Sequence, residues 1–144
     1  ANAVAAVKKS GAPLIVVDYG TATTFCVVDQ RGDYLGGLIV PGLKISMDAL
    51  FERAAKLPRI EIKKPPALIG KTTVGSMQAG AFYALAAQTD GIVERIRARL
   101  GQPDCRVIAT GGLAGFAAEE AETIDVVDRR LTLDGLRLIY EKNC

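Results

Sequence analysis

Residues 14–42 read LIVVDYGTATTFCVVDQRGDYLGGLIVPG, and the fold follows from how this stretch divides. Residues 14–17 are an apolar, β-branched run that ends in Asp18, with Gly20 and Thr21 directly after it. Residues 23–28 read as a second strand, 30–33 as a polar turn and 34–40 as a third strand stopped by Pro41-Gly42. Together they form an antiparallel meander. An acid at the end of a buried strand, beside a glycine turn and several hydroxyls, suits a metal–phosphate site. The carboxylate can hold a hard cation, glycine lets a backbone N–H approach an anion, and threonine adds a hydroxyl donor. Gly36 and Gly37 inside the third strand imply a bulge or a close backbone approach.

Upstream, residues 1–9 read as a helix with Val4 and Val7 on one face, ended by Gly11-Ala12-Pro13. Because the sequence opens inside this helix, the expectation is a natural N-terminal part that is missing or on another chain. Downstream, residues 45–55 read as a helix with Met47, Leu50, Phe51 and Ala54 on one stripe and Ser46 as its cap. Residues 57–69 contain Pro58, Pro65 and Pro66 and are expected to be irregular or extended. Such a long connection is more often functional than idle. GKTTVGSMQAG, residues 70–80, leads into a long helix reaching Leu100. Leu85, Ile92, Val93, Ile96 and Leu100 are its apolar positions, Glu94, Arg95, Arg97 and Arg99 its wet face, and Gly91 a point of kinking or interruption. Residues 105–109 form a fourth strand ending in Thr110-Gly111-Gly112, followed by a helix over 113–121 and a fifth strand over 124–127. A last helix runs to Lys142, capped by Thr132 or Asp134 and burying Leu136, Ile139 and Tyr140. This order is α/β with mixed sheet pairing.

The 144 residues, 49% hydrophobic and 24% charged, fit one globular domain with a real core. Net charge is +2 with the cations scattered, which argues against nucleic acid and acidic membrane surfaces as partners. Aromatics at 6%, with no Trp, also disfavour single-stranded nucleic acid. No apolar run is long enough to span a bilayer, and Lys8-Lys9 breaks any signal-peptide pattern. The absence of His removes Ser-His-Asp and Cys-His chemistry. Cys26, Cys105 and Cys144 are far apart, against zinc or a disulfide framework, so a cytoplasmic location is the default.

Each candidate site has a plainer reading beside it. Asp18-Tyr19-Gly20-Thr21 is either a polar strand end or a cation and phosphate locus, and Thr23 and Thr24 are equally good β-formers. Thr110-Gly111-Gly112 is either a common strand-to-helix turn or bare backbone against which an adenosine can lie. Neither a Walker P-loop nor a Rossmann fingerprint is present. At Lys71-Thr72-Thr73, one Thr caps the helix, or a hydroxyl there meets a bound carboxylate or amide. Arg31-Gly32-Asp33 reads as a hairpin turn and Cys26 as a packed thiol.

VVDYGTATTF, GGLIVPG and ATGGLA, in this order and spacing, resemble the type III pantothenate kinases, which include the Bvg accessory factor-like proteins. The likeness extends through FERAAKLPRIEI, GKTTVGSMQAGAFYA, DGIVERI and LTLDGLRLIYEKN, nearly the whole chain. It implies an α/β domain of the ASKHA superfamily (actin-like ATPase, ribonuclease H-like). The implied activity is ATP-dependent phosphorylation of pantothenate to 4'-phosphopantothenate, the first step towards coenzyme A, with Mg²⁺ and a monovalent cation, K⁺ or NH₄⁺, in a homodimer. Carried over by motif, Asp18 is the monovalent-cation ligand and Thr21 the nucleotide-phosphate contact, with Gly20 beside it. Thr73 becomes the hydroxyl that meets pantothenate across the dimer interface, and Gly111 and Gly112 become the adenosine-side glycines.

The family also has an N-terminal domain with a DxGNT-like phosphate loop, and a Gly-Ala-Asp-Arg motif whose Asp is the general base. Both are expected upstream of Ala1, so residues 1–144 read as the C-terminal domain of a two-domain kinase that is nearly inactive alone. Its partner is then the N-terminal domain, in cis or as a separate chain. Cys26 stands where many members are expected to carry Asp. The alternative is a non-catalytic, actin-like nucleotide-binding or regulatory module. The helix over 73–100 is the expected dimer interface, with Leu85 in it.

Overall fold

The structure is a computed structural model describing all of residues 1–144. Strands β1 (Leu14–Tyr19), β2 (Ala22–Val28) and β3 (Tyr34–Pro41) form the expected antiparallel meander. Strands β4 (Arg106–Thr110) and β5 (Val126–Val127) extend the sheet with parallel pairing, in the order β3-β2-β1-β4-β5. β1 is therefore central. Its residues Leu14, Ile15, Val16 and Val17 are all fully buried, as a strand with helices on both faces requires. Ile15, Val17 and Tyr19 pack with Phe25, Val107 and helix α3 (Thr73–Leu100) on one side. Leu14 and Val16 pack with Val28, Ile108, α1 (Asn2–Ser10) and α5 (Leu131–Lys142) on the other.

The paired glycines of β3 have the two causes expected of them. Gly36 adopts φ +114° beside a bulge opposite Val27 and Val28. A Cβ on Gly37 would collide with the Phe25 carbonyl oxygen.

Helix α2 (Leu43–Arg53) begins two residues earlier than expected, and Ser46 does not cap it. The Ser46 hydroxyl lies within the first turn and donates to the Gly42 carbonyl at 3.0 Å. No residue of α2 is fully buried; its apolar stripe faces a groove instead of the core, and Arg59 lies over the Phe51 ring at 4.3 Å. Residues 57–69 are irregular, as three prolines dictate.

Helix α3 runs unbroken through Gly91 for 28 residues and ends on Gly101 at φ +65°. Leu85, expected at a dimer interface, is buried in this chain's own core and reaches the floor of the groove beside α2 with only its edge. Arg97 also leaves the expected wet face: its Nε and Nη2 donate to the Cys105 carbonyl at 3.0 and 2.7 Å, fastening α3 to the start of β4.

Helix α4 (Ala114–Ala118) is shorter than the sequence pattern suggests. The Asp90 carboxylate accepts from Glu122 N, Thr123 N and the Thr123 hydroxyl at 2.9, 3.0 and 2.6 Å, drawing the chain off the helical path.

Helix α5 turns a different face inward from the one expected. Leu131 and Gly135 are buried, while Leu136, Ile139 and Tyr140 are exposed. A Cβ on Gly135 would collide with the backbone of Ala1, so glycine lets α1 and α5 approach along that line. Neither Thr132 nor Asp134 caps the helix, because both side chains reach α1 instead.

Candidate functional site

Strands β1, β4 and β5 run the same way, so their C-terminal ends share one edge of the sheet. Ligands of open α/β sheets bind at such an edge. Asp18 and Thr110 are register partners there, which places the turn after β1 beside the turn after β4. Gly111 joins them at φ +95°, where a Cβ would stand 2.7 Å from Asp18 Oδ1 and 2.7 Å from Tyr19 N and C. Only glycine tolerates both that conformation and that proximity. Gly112 faces open space. The bare-backbone surface expected of the two glycines is present, with Gly111 carrying the steric constraint.

Asp18 is half-buried. Its Oδ2 accepts from Asn2 Nδ2 at 2.9 Å, while Oδ1 has no hydrogen-bond partner and faces the glycine turn. Asn2 was invisible as a site residue in the sequence, since a single Asn in an Ala-rich helix carries no signal. Its Oδ1 in turn accepts from the Thr132 hydroxyl at 2.7 Å.

No group of three or more His, Cys, Asp or Glu side chains could hold a metal ion. A single carboxylate with one free oxygen fits a monovalent cation completed by carbonyls, hydroxyls or ligand oxygens. A divalent ion at this edge would need its remaining ligands from bound phosphates.

Tyr19, next in sequence, is not an acid–base group. Its hydroxyl meets Thr89 Oγ1 at 2.7 Å, Thr89 donates onward to the Leu85 carbonyl at 2.8 Å, and burial pushes the phenol up to about 12.

Gly20 and Thr21 form the β1–β2 turn. The Gly20 N–H donates to the Ala22 carbonyl at 3.1 Å, so the turn's own bond occupies it. What Gly20 offers a ligand is an exposed backbone with no side chain, flanked by the Ala22 carbonyl and Asp18 Oδ1. The Thr21 side chain is exposed with no hydrogen-bond partner, and its carbonyl accepts from Gly42 N at 3.1 Å. A Cβ on Gly42 would collide with that carbonyl, so the β3–α2 corner rests directly on the Thr21 turn.

From this corner a groove of about 700 Å³ runs between α2 and the N-terminal half of α3. Met47 and Leu50 form one wall, Gly80 and Ala84 the other, and Thr73 stands at its polar end with Lys71. The structure resolves the choice between the two threonines. Thr72 caps α3, accepting from Gly75 N at 3.0 Å, while the exposed Thr73 hydroxyl has no partner. Asp18 and Gly111 are thus in contact, Thr21 lies at the corner adjoining the groove, and Thr73 lines the groove itself. Cys26 lies in mid-β2, paired with Gly37 and away from this edge.

Residues 1–95 match the family model described as type III pantothenate kinase. The chain belongs to that family. Type III pantothenate kinases from Brevibacillus brevis and an Exiguobacterium species are 61% and 57% identical to it over 99% of its length. The chain spans about half the length of these relatives, covering 55% of each. Among solved structures, a conserved Campylobacter jejuni protein grouped with the Baf family of transcriptional activators matches 96% of the chain and 62% of its own length. Its TM-score is 0.67 at 21% identity, so this likeness speaks to the fold alone. No helix of the chain is long and apolar enough to cross a membrane.

Proposed function

We infer that residues 1–144 are the C-terminal ASKHA-type domain of a two-domain type III pantothenate kinase. The reaction is transfer of the γ-phosphoryl group of ATP to the primary hydroxyl of pantothenate, opening the route to coenzyme A. The observation that carries this reading is identity of 57% and 61% to enzymes of that name over 99% of the chain. The remainder of those relatives' length leaves room for a phosphate-loop domain facing the Asp18–Gly111 edge.

On this reading the pantothenate hydroxyl oxygen attacks the γ-phosphorus, the bond to the ADP oxygen breaks, and the hydroxyl proton passes to the Asp of a Gly-Ala-Asp-Arg segment outside residues 1–144. A monovalent cation, K⁺ or NH₄⁺, together with Mg²⁺ supplies positive charge against the phosphates. Asp18 would hold the monovalent ion through its carboxylate, and the Thr21 hydroxyl would donate to a phosphate oxygen beside Gly20. Gly111 and Gly112 let the adenosine lie against backbone, and Thr73 donates to pantothenate in the groove along α3. Positioning and charge neutralisation dominate phosphoryl transfer, so half of the cleft is nearly silent alone. A homodimer packed over the groove and a cytoplasmic location belong to the same reading, supported by the family relationship.

The test is ATP-dependent phosphorylation of pantothenate in the presence of K⁺, by residues 1–144 alone and mixed with a separately made N-terminal domain of a full-length relative. Activity only in the mixture is expected. Silence in a mixture shown to associate would overturn the kinase reading.

A further inference from the structure

An Asn near a helix N-terminus commonly hydrogen-bonds to nearby backbone groups. Asn2 does not. Its Nδ2 donates to Asp18 Oδ2 at 2.9 Å and its Oδ1 accepts from Thr132 Oγ1 at 2.7 Å, so both ends of the amide are engaged outside α1. The amide orientation is set by chemistry: an amide oxygen turned towards the carboxylate would repel it, and Thr132 can donate where a carboxylate cannot. Thr132 lies in the first turn of α5, and three further contacts keep that turn against α1. The backbone of Ala1 packs where a Gly135 Cβ would be, and Lys9 pairs with Asp134 at 2.5 Å and with Asp128 at 2.8 Å. An exposed hydroxyl–amide bond would be weak alone, but here the helix pair already holds its two ends together.

We propose that Asn2, held by Thr132, is a positioning residue that fixes the Asp18 carboxylate for a monovalent cation. The proposal rests on the assignment of Asp18 as cation ligand given above. Asp18 is the penultimate residue of the central strand, but its carboxyl group can still rotate about the Cα–Cβ and Cβ–Cγ bonds. With Oδ2 tied to Asn2, Oδ1 is left turned to the Gly111 side, where a ligand's oxygens would complete the ion's shell. Partners that orient a ligating carboxylate typically change ion affinity about 10-fold or more when removed. The C-terminal helix α5, remote in sequence from the site, thereby sets the geometry of the cation ligand through one hydroxyl and one amide.

The experiment is a titration of the intact protein with K⁺ at constant ionic strength in Na⁺, read as the K⁺-dependent rise in unfolding midpoint. The ²⁰⁵Tl NMR shift of Tl⁺, a K⁺ surrogate, provides a second reading. Thr132→Val keeps the side-chain shape and removes the donor, Thr132→Ser restores the donor, and Asn2→Ala removes the relay. Expected are half-saturating K⁺ and Tl⁺ concentrations about 10-fold higher in Thr132→Val and Asn2→Ala, with Thr132→Ser returning to the wild-type value. A merely structural bond would lower the midpoint without moving the half-saturating concentration, and that result overturns the proposal. Asp18→Asn separates the two levels of the argument. A K⁺ response that survives it overturns the cation assignment itself. A response lost in Asp18→Asn but unchanged in Thr132→Val and Asn2→Ala leaves the assignment standing and overturns the positioning role.

Discussion

Gly111 rests its Cα against the carboxylate of Asp18, so closely that a Cβ would stand 2.7 Å from Oδ1. Parallel pairing of β1 with β4 produces this contact, and φ +95° at Gly111 completes it. Gly111→Ala is therefore expected to lose about 1–3 kcal/mol of stability and to weaken binding of a fluorescent ATP analogue, because the new methyl must displace the acid. Gly112→Ala meets nothing within 4 Å and should stay within about 0.5 kcal/mol of wild type. Denaturant unfolding and nucleotide titration of both variants check this. Equal effects at the two positions would count against the steric argument.

The α1–α5 clamp gives a pH dependence whose sign can be worked out. Hydrogen bonding to Lys9 holds the Asp134 carboxyl below its ordinary 3.8, so its stabilising contribution is present above pH 3.8 and is lost as pH falls through the lower folded value. Asp128 and Asp134 raise the Lys9 ammonium above 10.5, so its contribution is present below that pH and is lost as pH climbs through the higher folded value. The difference in unfolding midpoint between wild type and Lys9→Met should thus be a plateau across neutral pH that closes at both ends. Since these groups are near the surface, the gap should be small and shrink in high salt. A gap independent of pH would remove the ion pairs from the account.

Burial makes Leu85 a poor probe of the proposed dimer contact along α3, because its substitution would damage the core first. Leu85→Ala should cost about 2–5 kcal/mol through a core cavity, whatever the oligomeric state. Ala84 is exposed, lines the groove and points away from that core cluster. If the groove is the contact between copies, Ala84→Arg should give a folded monomer by light scattering with an unchanged circular dichroism spectrum. A folded Ala84→Arg dimer would move the interface elsewhere.

How much of this was legible before the structure depends on the kind of signal. The meander was readable because alternation and turn residues agree over residues 14–42, and Asp18 stood out as an acid closing an apolar run. Gly111 could be noticed as half of a glycine pair, but its contact with Asp18 depends on which strands are neighbours, a non-local fact. The inward face of α5 was misread for a related reason. Leu136, Ile139 and Tyr140 are three large side chains at helical spacing, yet close approach of Ala1 at Gly135 decides the packing, and glycine adds nothing to an apolar stripe. Arg97 has the spacing of a wet-face residue, but its long side chain folds back onto a carbonyl that only the β4 junction brings near. Asn2 and Thr132 lie at opposite ends of the chain and neither local pattern points to the other, so their link exists only in three dimensions.

Thr72 and Thr73 provide the sharpest separation of stability from function. Thr72 accepts from Gly75 N at 3.0 Å as the N-cap of α3, whereas Thr73 presents an unpaired hydroxyl to the groove. Thr72→Ala should lose about 1 kcal/mol, the usual cost of removing a threonine cap, and this loss should appear in unfolding experiments on the protein alone. Thr73→Val should leave unfolding almost unchanged, because the first helical position is exposed and its hydroxyl bonds nothing in the fold. In the complemented kinase assay the order should invert. Thr73→Val should raise the KM for pantothenate by about 10-fold, the scale of one lost hydrogen bond to a polar substrate, with the KM for ATP unaffected. Thr72→Ala should retain a KM near wild type at temperatures well below its unfolding midpoint. If Thr73→Val leaves the pantothenate KM unchanged, the groove is not the pantothenate site; if it also proves as destabilising as Thr72→Ala, the two hydroxyls share the capping role.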